Sequence, residues 1–284
     1  MINYCKQNCI NKTQTLDCIT ATGRFKDCNH ALNAVNADCK VISHRGHSHI
    51  APENTLASVA ASIAVGADAC EFDVRCTADG EVVLMHDATV DRTTSGSGAI
   101  SEMTLTEAQS LDAGAWKGAE YIGQPVPSLA DVFELMAPSG QHAVVEIKDP
   151  AAAEGVVEVT RKYSMSNRIT ALSDDPETLC RIESIDPTIR RALLCTAFPN
   201  DIKNAGSQTD WLINRAHKPS ANVVDIDYRF TSPQMISSLH RAGIEVWVWT
   251  VNAGEIMNCL LEWGIDGIAS DQPNVLLGTV KNVL

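Results

Sequence analysis

The chain predicts an α/β fold, a (β/α)8 TIM barrel with a short loop-rich insertion after a hairpin on its second strand. Three observations carry that prediction. From residue 40 onward, short apolar segments alternate with segments of helical periodicity, the pattern of parallel strands joined by crossover helices. Counted in order, these units number about eight over roughly 245 residues, the usual extent of such a barrel. Polar residues recur at the C-terminal ends of the strands, where barrels of this kind carry their chemistry. A doubly wound open sheet is the alternative, and the lack of a G-x-G-x-x-G after the first strand speaks against it.

Each element has its own warrant. Lys40 to His44 (KVISH) is a short apolar strand followed by Arg45-Gly46. Glu53 to Val65 is Ala-rich, with an apolar face at helical spacing, and Gly66 ends it. Ala69 to Asp87 reads as strand, turn and strand, with Ala78-Asp79-Gly80 as the turn and Asp-Gly as the hairpin signal. The returning strand, Glu81 to His86, stands outside the barrel count. Ala88 to Val126 contains TTSGSG and several polar turns, and it reads as the insertion, with one short helix at Thr106 to Leu111. Helix and strand signals then alternate. The helices are Ser128–Met136, Ala151–Tyr163, Pro176–Ile185, Thr209–Ala216, Pro233–Ala242 and Ala253–Trp263. The strands between and after them are Ala143–Ile147, Arg168–Leu172, Ile189–Cys195, Val223–Asp227, Glu245–Thr250 and Gly267–Ser270.

Composition bounds the function. The 284 residues carry a formal charge of −13, with 45% hydrophobic and 20% charged residues. Such an acidic chain is a poor partner for a nucleic-acid backbone. No apolar run approaches the ~18 residues that would span a bilayer, so no stable membrane insertion is expected. Ten cysteines are present, and Cys5, Cys9, Cys18, Cys28 and Cys39 fall in the first forty residues. Residues 1–38 read as a Cys-rich N-terminal extension, poorly ordered and reduced, and 39–284 as the barrel domain. The N-terminus has no apolar signal-like stretch, so a cytoplasmic location is expected. Cys5, Cys9, Cys18, Cys28 and His30 lack the tight paired spacing of a zinc site.

The chemistry concentrates in Ala69 to Asp87. Glu71 and Asp73 lie two residues apart on a strand and share one face. Glu146 and Lys148 are spaced the same way on the next barrel strand. Three carboxylates converging on one mouth repel unless a cation sits among them. Carboxylate oxygens suit Mg²⁺ or Ca²⁺. The competing reading is a salt-bridge network of these acids with Arg45, Arg75 and Lys148. Trp249 is assigned to a ligand wall and Trp247 to the core, on opposite faces of their strand. Asp271 reads as a cap or loop-holding group, His47 and His49 as loop residues, and Cys70 as a small apolar residue facing the helix layer.

His44-Arg45-Gly46, Glu53-Asn54-Thr55, Glu71-Phe72-Asp73-Val74, His86-Asp87 and Glu146-Ile147-Lys148 resemble, in order, the motifs of the glycerophosphodiester phosphodiesterases. DATVDRTTSGSGAISEMTLTEAQSLDAGAW, Trp249-Thr250-Val251-Asn252 and Ser270-Asp271-Gln272-Pro273 resemble further stretches of that family, so the likeness runs from about Val41 to Leu277. The resemblance implies a TIM barrel, one divalent cation and hydrolysis of small glycerophosphodiesters to sn-glycerol 3-phosphate and an alcohol. It implies Glu71, Asp73 and Glu146 as metal ligands and His44 and His86 as the acid/base pair. Arg45 and Lys148 would hold the phosphate, Glu53 would lie at the metal or substrate edge, and Trp249 beside the glycerol. Imidazole suits proton transfer in both directions near neutral pH. The alternatives are a lysophospholipase D-like activity on single-chain lipids, which the polar run SGSGAISE disfavours, and a catalytically silent phosphodiester-binding barrel. The sequence is silent on oligomeric state.

Overall fold

The computed structural model describes residues 38–281. The readings of the cysteines before Cys39, and of most of the N-terminal extension, lie outside the described residues.

Eight parallel strands close into a barrel. They are β1 (Lys40–Ser43), β2 (Ala69–Cys76), β4 (His142–Ile147), β5 (Ile169–Ser173), β6 (Arg190–Cys195), β7 (Val223–Asp227), β8 (Glu245–Trp249) and β9 (Gly267–Ser270). Each pairs with its neighbours in the order β1-β9-β8-β7-β6-β5-β4-β2, and pairing of β1 with β2 completes the ring. β3 (Val82–Leu84) runs antiparallel to β2 outside the ring, with Val74 opposite Leu84. The strands read as nearly continuous apolar runs because both faces are covered.

Side chains alternate between the barrel interior and the helix layer. The interior holds Ile42, Ala69, Val144, Leu172, Ala192, Leu194, Val223, Trp247 and Ala269 as one cluster. The outward set, including Val41, Cys70, Phe72 and Val74, joins the helices in a larger core. Alternation places a polar tier at each end of the interior cluster. Lys40, His142, Thr170, Arg190 and Glu245 form the floor. Glu71, Asp73, Glu146, Asp225 and Trp249 form the mouth. Trp247 and Trp249 therefore share the inner face, since residues two apart on a strand point the same way; the expectation of opposite faces was wrong.

Local chemistry fixes the helix ends. α1 (Leu56–Val65) starts after Thr55, whose side chain accepts from the Ser58 N–H in a capping box, and it stops at Gly66 with φ +78°. Glu53 and Asn54, read from sequence as helical, thus lie in the loop before it. α2 (Leu105–Gln109) lies in the 88–126 segment, and Ser128 caps α3 (Leu129–Met136) in the same way. α4 (Ala153–Lys162), α5 (Pro176–Ile185), α6 (Ala205–His217), α7 (Pro233–Arg241), α8 (Gly254–Glu262) and α9 (Pro273–Lys281) complete the layer. α6 is longer than expected because Asn204 caps it through the Ser207 N–H. α9, with proline at its first position, was not anticipated.

The 88–126 segment has a small core of its own. Val83, Met85, Val90, Ile100, Ala108, Ala113 and Val126 pack together apart from the main core. Among the described residues, no helix is long and apolar enough to cross a membrane.

Candidate active site

The mouth is built first from β2 and β4. One oxygen from each of Glu71, Asp73 and Glu146 lies within 4.8 Å of the others. Glu71 Oε2 accepts the Arg45 N–H at 2.8 Å, while its buried Oε1 has no partner. Asp73 Oδ2 accepts from Asn54 Nδ2 at 2.8 Å, and Arg45 Nε stands 3.3 Å from it. Asp73 Oδ1 lies 3.3 Å from Lys148 Nζ, near enough for attraction but outside hydrogen-bond geometry. Lys148 also pairs with Glu146.

These carboxylates do not share their charge equally. Burial, then Asp73 and Glu146, pushes Glu71 well above the usual carboxylate range. Burial, then Asp73, pushes Glu146 up to about 7. Burial also opposes ionisation of Asp73, but Arg45 and then Lys148 outweigh it and hold that group well below its ordinary value. The cluster is short of positive charge, and it offers hard oxygen donors, two of them, Glu71 Oε1 and Asp73 Oδ1, buried without a hydrogen-bond partner. The residues present fit a divalent cation of the Mg²⁺ or Ca²⁺ type.

Two imidazoles flank the cluster. His44, just past β1, has Nδ1 2.7 Å from Asp271 Oδ1. Asp271 is itself held by Ser48 Oγ at 2.9 Å and Asn252 Nδ2 at 2.7 Å. His86, just past β3, has Nδ1 2.6 Å from Asp87 Oδ1. Its backbone carbonyl accepts from Arg75 Nε at 3.0 Å and Nη2 at 2.9 Å. The Met85 N–H donates to the Asp73 carbonyl at 3.0 Å, which ties the returning strand to the ligand strand. Burial lowers the His86 pKa. Burial raises Asp87, yet Arg92 and then His86 bring it down to about 2. In both pairs the carboxylate engages Nδ1, not Nε2.

The loop from Arg45 to Asn54 supports this arrangement. Arg45 and Asn54 both adopt positive φ, 55° and 56°. Glu53 Oε1 accepts from Arg45 Nη1 at 2.8 Å, and Arg92 donates to both Glu53 oxygens at 2.9 Å. Glu53 is thus buried between two guanidinium groups and is not one of the clustered carboxylates. Burial raises its pKa, but Arg92 and Arg45 lower it further. Arg92 Nε also reaches Asp87 Oδ2 at 2.6 Å, so one side chain links the Arg45 loop to the His86 loop.

Asn54, Asp87, Arg92, Asn252 and Asp271 are the partners that sequence reasoning left without a role at the site. Asp271 was read as loop-holding; it holds Ser48 and Asn252, and His44 besides. Arg75 binds a carbonyl, not the acidic cluster. His47 is buried, with Nε2 3.0 Å from Asn274 Oδ1, and serves the scaffold. Trp249 reaches the mouth with its buried Nε1 unpartnered. Asp225, also unforeseen, faces the same interior with Oδ1 unpartnered, and burial followed by Glu146 pushes it well above the ordinary range.

The structure is a closed parallel TIM barrel that carries a carboxylate cluster and two carboxylate-held histidines. Residues 44–275 match the model of the glycerophosphoryl diester phosphodiesterase family. A glycerophosphodiester phosphodiesterase of Caldanaerobacter subterraneus subsp. tengcongensis is 32% identical over 246 residues, covering 85% of this chain and 97% of the relative. The structure of an Oleispira antarctica phosphodiesterase in complex with the product sn-glycerol-3-phosphate superposes with a TM-score of 0.77 at 29% identity, covering 84% of this chain and 96% of that one. A glycerophosphodiester phosphodiesterase from Agrobacterium tumefaciens gives 0.72 at 28% identity, covering 84% and 99%. The chain belongs to the glycerophosphoryl diester phosphodiesterase family, and its activity is that of a phosphoric diester hydrolase acting on glycerophosphodiesters.

Proposed function

We propose that the chain hydrolyses small glycerophosphodiesters to sn-glycerol 3-phosphate and an alcohol, with His44 and His86 as the acid/base pair. The observation that carries this reading is the paired His–carboxylate geometry together with the Glu71, Asp73 and Glu146 cluster. Those three side chains would hold one Mg²⁺ or Ca²⁺, which when bound supplies positive charge against the phosphoryl oxygens. Arg45 and Lys148 bind and orient the phosphate, and their charges offset what builds on it. Trp249 lines the glycerol end. One imidazole removes the proton from the attacking oxygen as the new P–O bond forms. The other protonates the leaving alkoxide as the old bond breaks, so charge and protons balance. A substrate whose glycerol hydroxyl is blocked separates attack by water from attack through a cyclic phosphate.

The test is release of glycerol 3-phosphate from glycerophosphocholine and related head groups with Mg²⁺, Ca²⁺ and Mn²⁺ in parallel. His44→Ala and His86→Ala should each lower turnover by about 10²–10⁴-fold. Full activity in excess chelator after dialysis would defeat the metal assignment.

A second reading, single-chain lipid phosphodiesters, draws on one observation. Ile50, Trp116 and Ile122 are exposed at 50%, 44% and 66%, three of the four large hydrophobic side chains so exposed among the described residues. Tyr121 Oη donates to the Ile50 carbonyl at 2.7 Å and Lys117 Nζ to the Ser48 carbonyl at 2.6 Å, which gathers them beside the His44 loop. The polar run SGSGAISE is only part of that segment. Comparing lysophosphatidylcholine with glycerophosphocholine, in the wild type and in Trp116→Ser, tests this reading: a loss confined to the lipid substrate supports it.

A further inference from the structure

We propose that Arg92 is a positioning residue that couples Arg45, the phosphate holder, to His86, the acid/base group. The inference rests on the roles given above to those two residues, and its test separates a failure of those roles from its own. Arg92 stands in the middle of an unbroken row of alternating charges. Arg45 Nη1 donates to Glu53 Oε1 at 2.8 Å. Arg92 Nη2 donates to that same oxygen and Arg92 Nη1 to Glu53 Oε2, both at 2.9 Å. Arg92 Nε donates to Asp87 Oδ2 at 2.6 Å, and Nη2 to Asp87 Oδ1 at 3.3 Å. Asp87 Oδ1 in turn lies 2.6 Å from His86 Nδ1. At the far end of the row, Arg45 Nε stands 3.3 Å from Asp73 Oδ2, so the row runs from the carboxylate cluster to the imidazole.

Four hydrogen bonds thus leave one guanidinium, two to each carboxylate. A rigid fork of donors fixes the two acceptors relative to each other, which the point charge of a lysine would not do. Glu53 is 9% exposed and lies between two guanidinium groups, so loss of either leaves a buried carboxylate half-paired. Asp87 is shared between Arg92 and His86, so Arg92 decides how that carboxylate is aimed at the imidazole. A pair that only fastened a loop would need one carboxylate. Here each of the two carboxylates also holds a group assigned to the reaction.

The 88–126 segment delivers this guanidinium. Val90 belongs to the segment's small core, and Thr93 is buried with Oγ1 3.7 Å from Met85 Sδ. Arg92 lies between these two anchors. The surrounding turn is pinned within the segment. The Val90 N–H donates to the Gly98 carbonyl at 3.0 Å and the Thr94 N–H to the Val90 carbonyl at 3.1 Å. The Gly98 N–H donates to Asp91 Oδ2 at 3.1 Å. The backbone that carries Arg92 is therefore set apart from the loop of Arg45, and the side chain is the bridge between them.

A mutant cycle read by steady-state kinetics with glycerophosphocholine tests the coupling. Glu53→Gln weakens the arm to Arg45 and should mainly raise KM. Asp87→Asn weakens the arm to His86 and should mainly lower kcat, by roughly tenfold or more. Together the two should depart from the product of their single effects on kcat/KM by about fivefold or more, because both carboxylates meet on one guanidinium. That departure should vanish in an Arg92→Gln background. It should vanish equally in Arg92→Lys, which keeps the charge but not the fork and serves if the Gln variant folds poorly, as urea midpoints will show. Independent effects in the presence of Arg92, or a coupling that persists in both Arg92 backgrounds, would overturn the proposal. Undiminished turnover in His86→Ala would instead overturn the acid/base role on which it rests.

Discussion

At the scale of single residues, each of the two histidines is held by a carboxylate. Asp271 fixes the Nδ1 face of His44, and Asp87 does the same for His86. Asp271→Asn should preserve the fold and lower kcat by roughly 10²-fold with little change in KM, because the orientation of His44 is lost while Arg45 and Lys148, the proposed phosphate holders, remain. Steady-state kinetics with glycerophosphocholine checks this, and a change confined to KM would argue against it. The metal candidates were legible from sequence because the two-residue spacing of Glu71 and Asp73 fixes their shared face. The partners of the histidines were less so. Asp271 lies 227 positions from His44, and no local pattern joins them. Arg92 meets Glu53 across 39 positions for the same reason. Asp87 had a local signal, its adjacency to His86, and that could have been used.

At the scale of elements, the junction between β1 and α1 is the most demanding. Gly46 has φ +79°, and a Cβ there would lie 2.4 Å from Ser58 Oγ and 2.5 Å from the Ser58 backbone carbon. Gly46→Ala should destabilise by about 3 kcal/mol, from backbone strain together with overpacking of a buried helix. Gly80, in the hairpin turn, has φ +86° with nothing within 4 Å, so Gly80→Ala should lose only about 1 kcal/mol. Urea denaturation of the two variants tests the difference, and equal losses would refute the steric account. Strands and helices were readable because apolar runs and caps are local signals. The helix start at Leu56 was misplaced because Glu53 and Asn54 suit a helix by composition, yet their side chains are recruited to Arg45, Arg92 and Asp73.

At the scale of the whole molecule, two titrations report on the architecture. His142 is held neutral, with its pKa at about 4 against an ordinary 6.5. The unfolded chain takes up a proton there between these values while the folded chain does not. Stability is therefore present above pH 6.5 and is lost as pH falls towards 4, by an amount on the order of 2–3 kcal/mol. His142→Gln should flatten that part of the curve, measured as the urea midpoint against pH. At the other end of the barrel, Mg²⁺ or Ca²⁺ at about 100 times Kd should add about 2.7 kcal/mol of stability, reversed by chelator and absent in Glu71→Gln. Thermal melts at several cation concentrations decide it. The closed barrel was legible from the count of alternating units. The facing of Trp247 and Trp249 was misread although period two was enough to assign it. The polar floor was not anticipated, because Lys40, His142, Arg190 and Glu245 come from four separate strands and nothing local links them.

The small core formed by Val83, Met85, Val90, Ile100, Ala108, Ala113 and Val126 has an evolutionary reading. Because the 88–126 segment packs largely on itself and on β3, its outer surface can diverge without repacking the barrel. Grafting the corresponding stretch of a relative between Ala88 and Val126, with Arg92 retained, should transfer that relative's preference for the leaving group while cation dependence stays with the host.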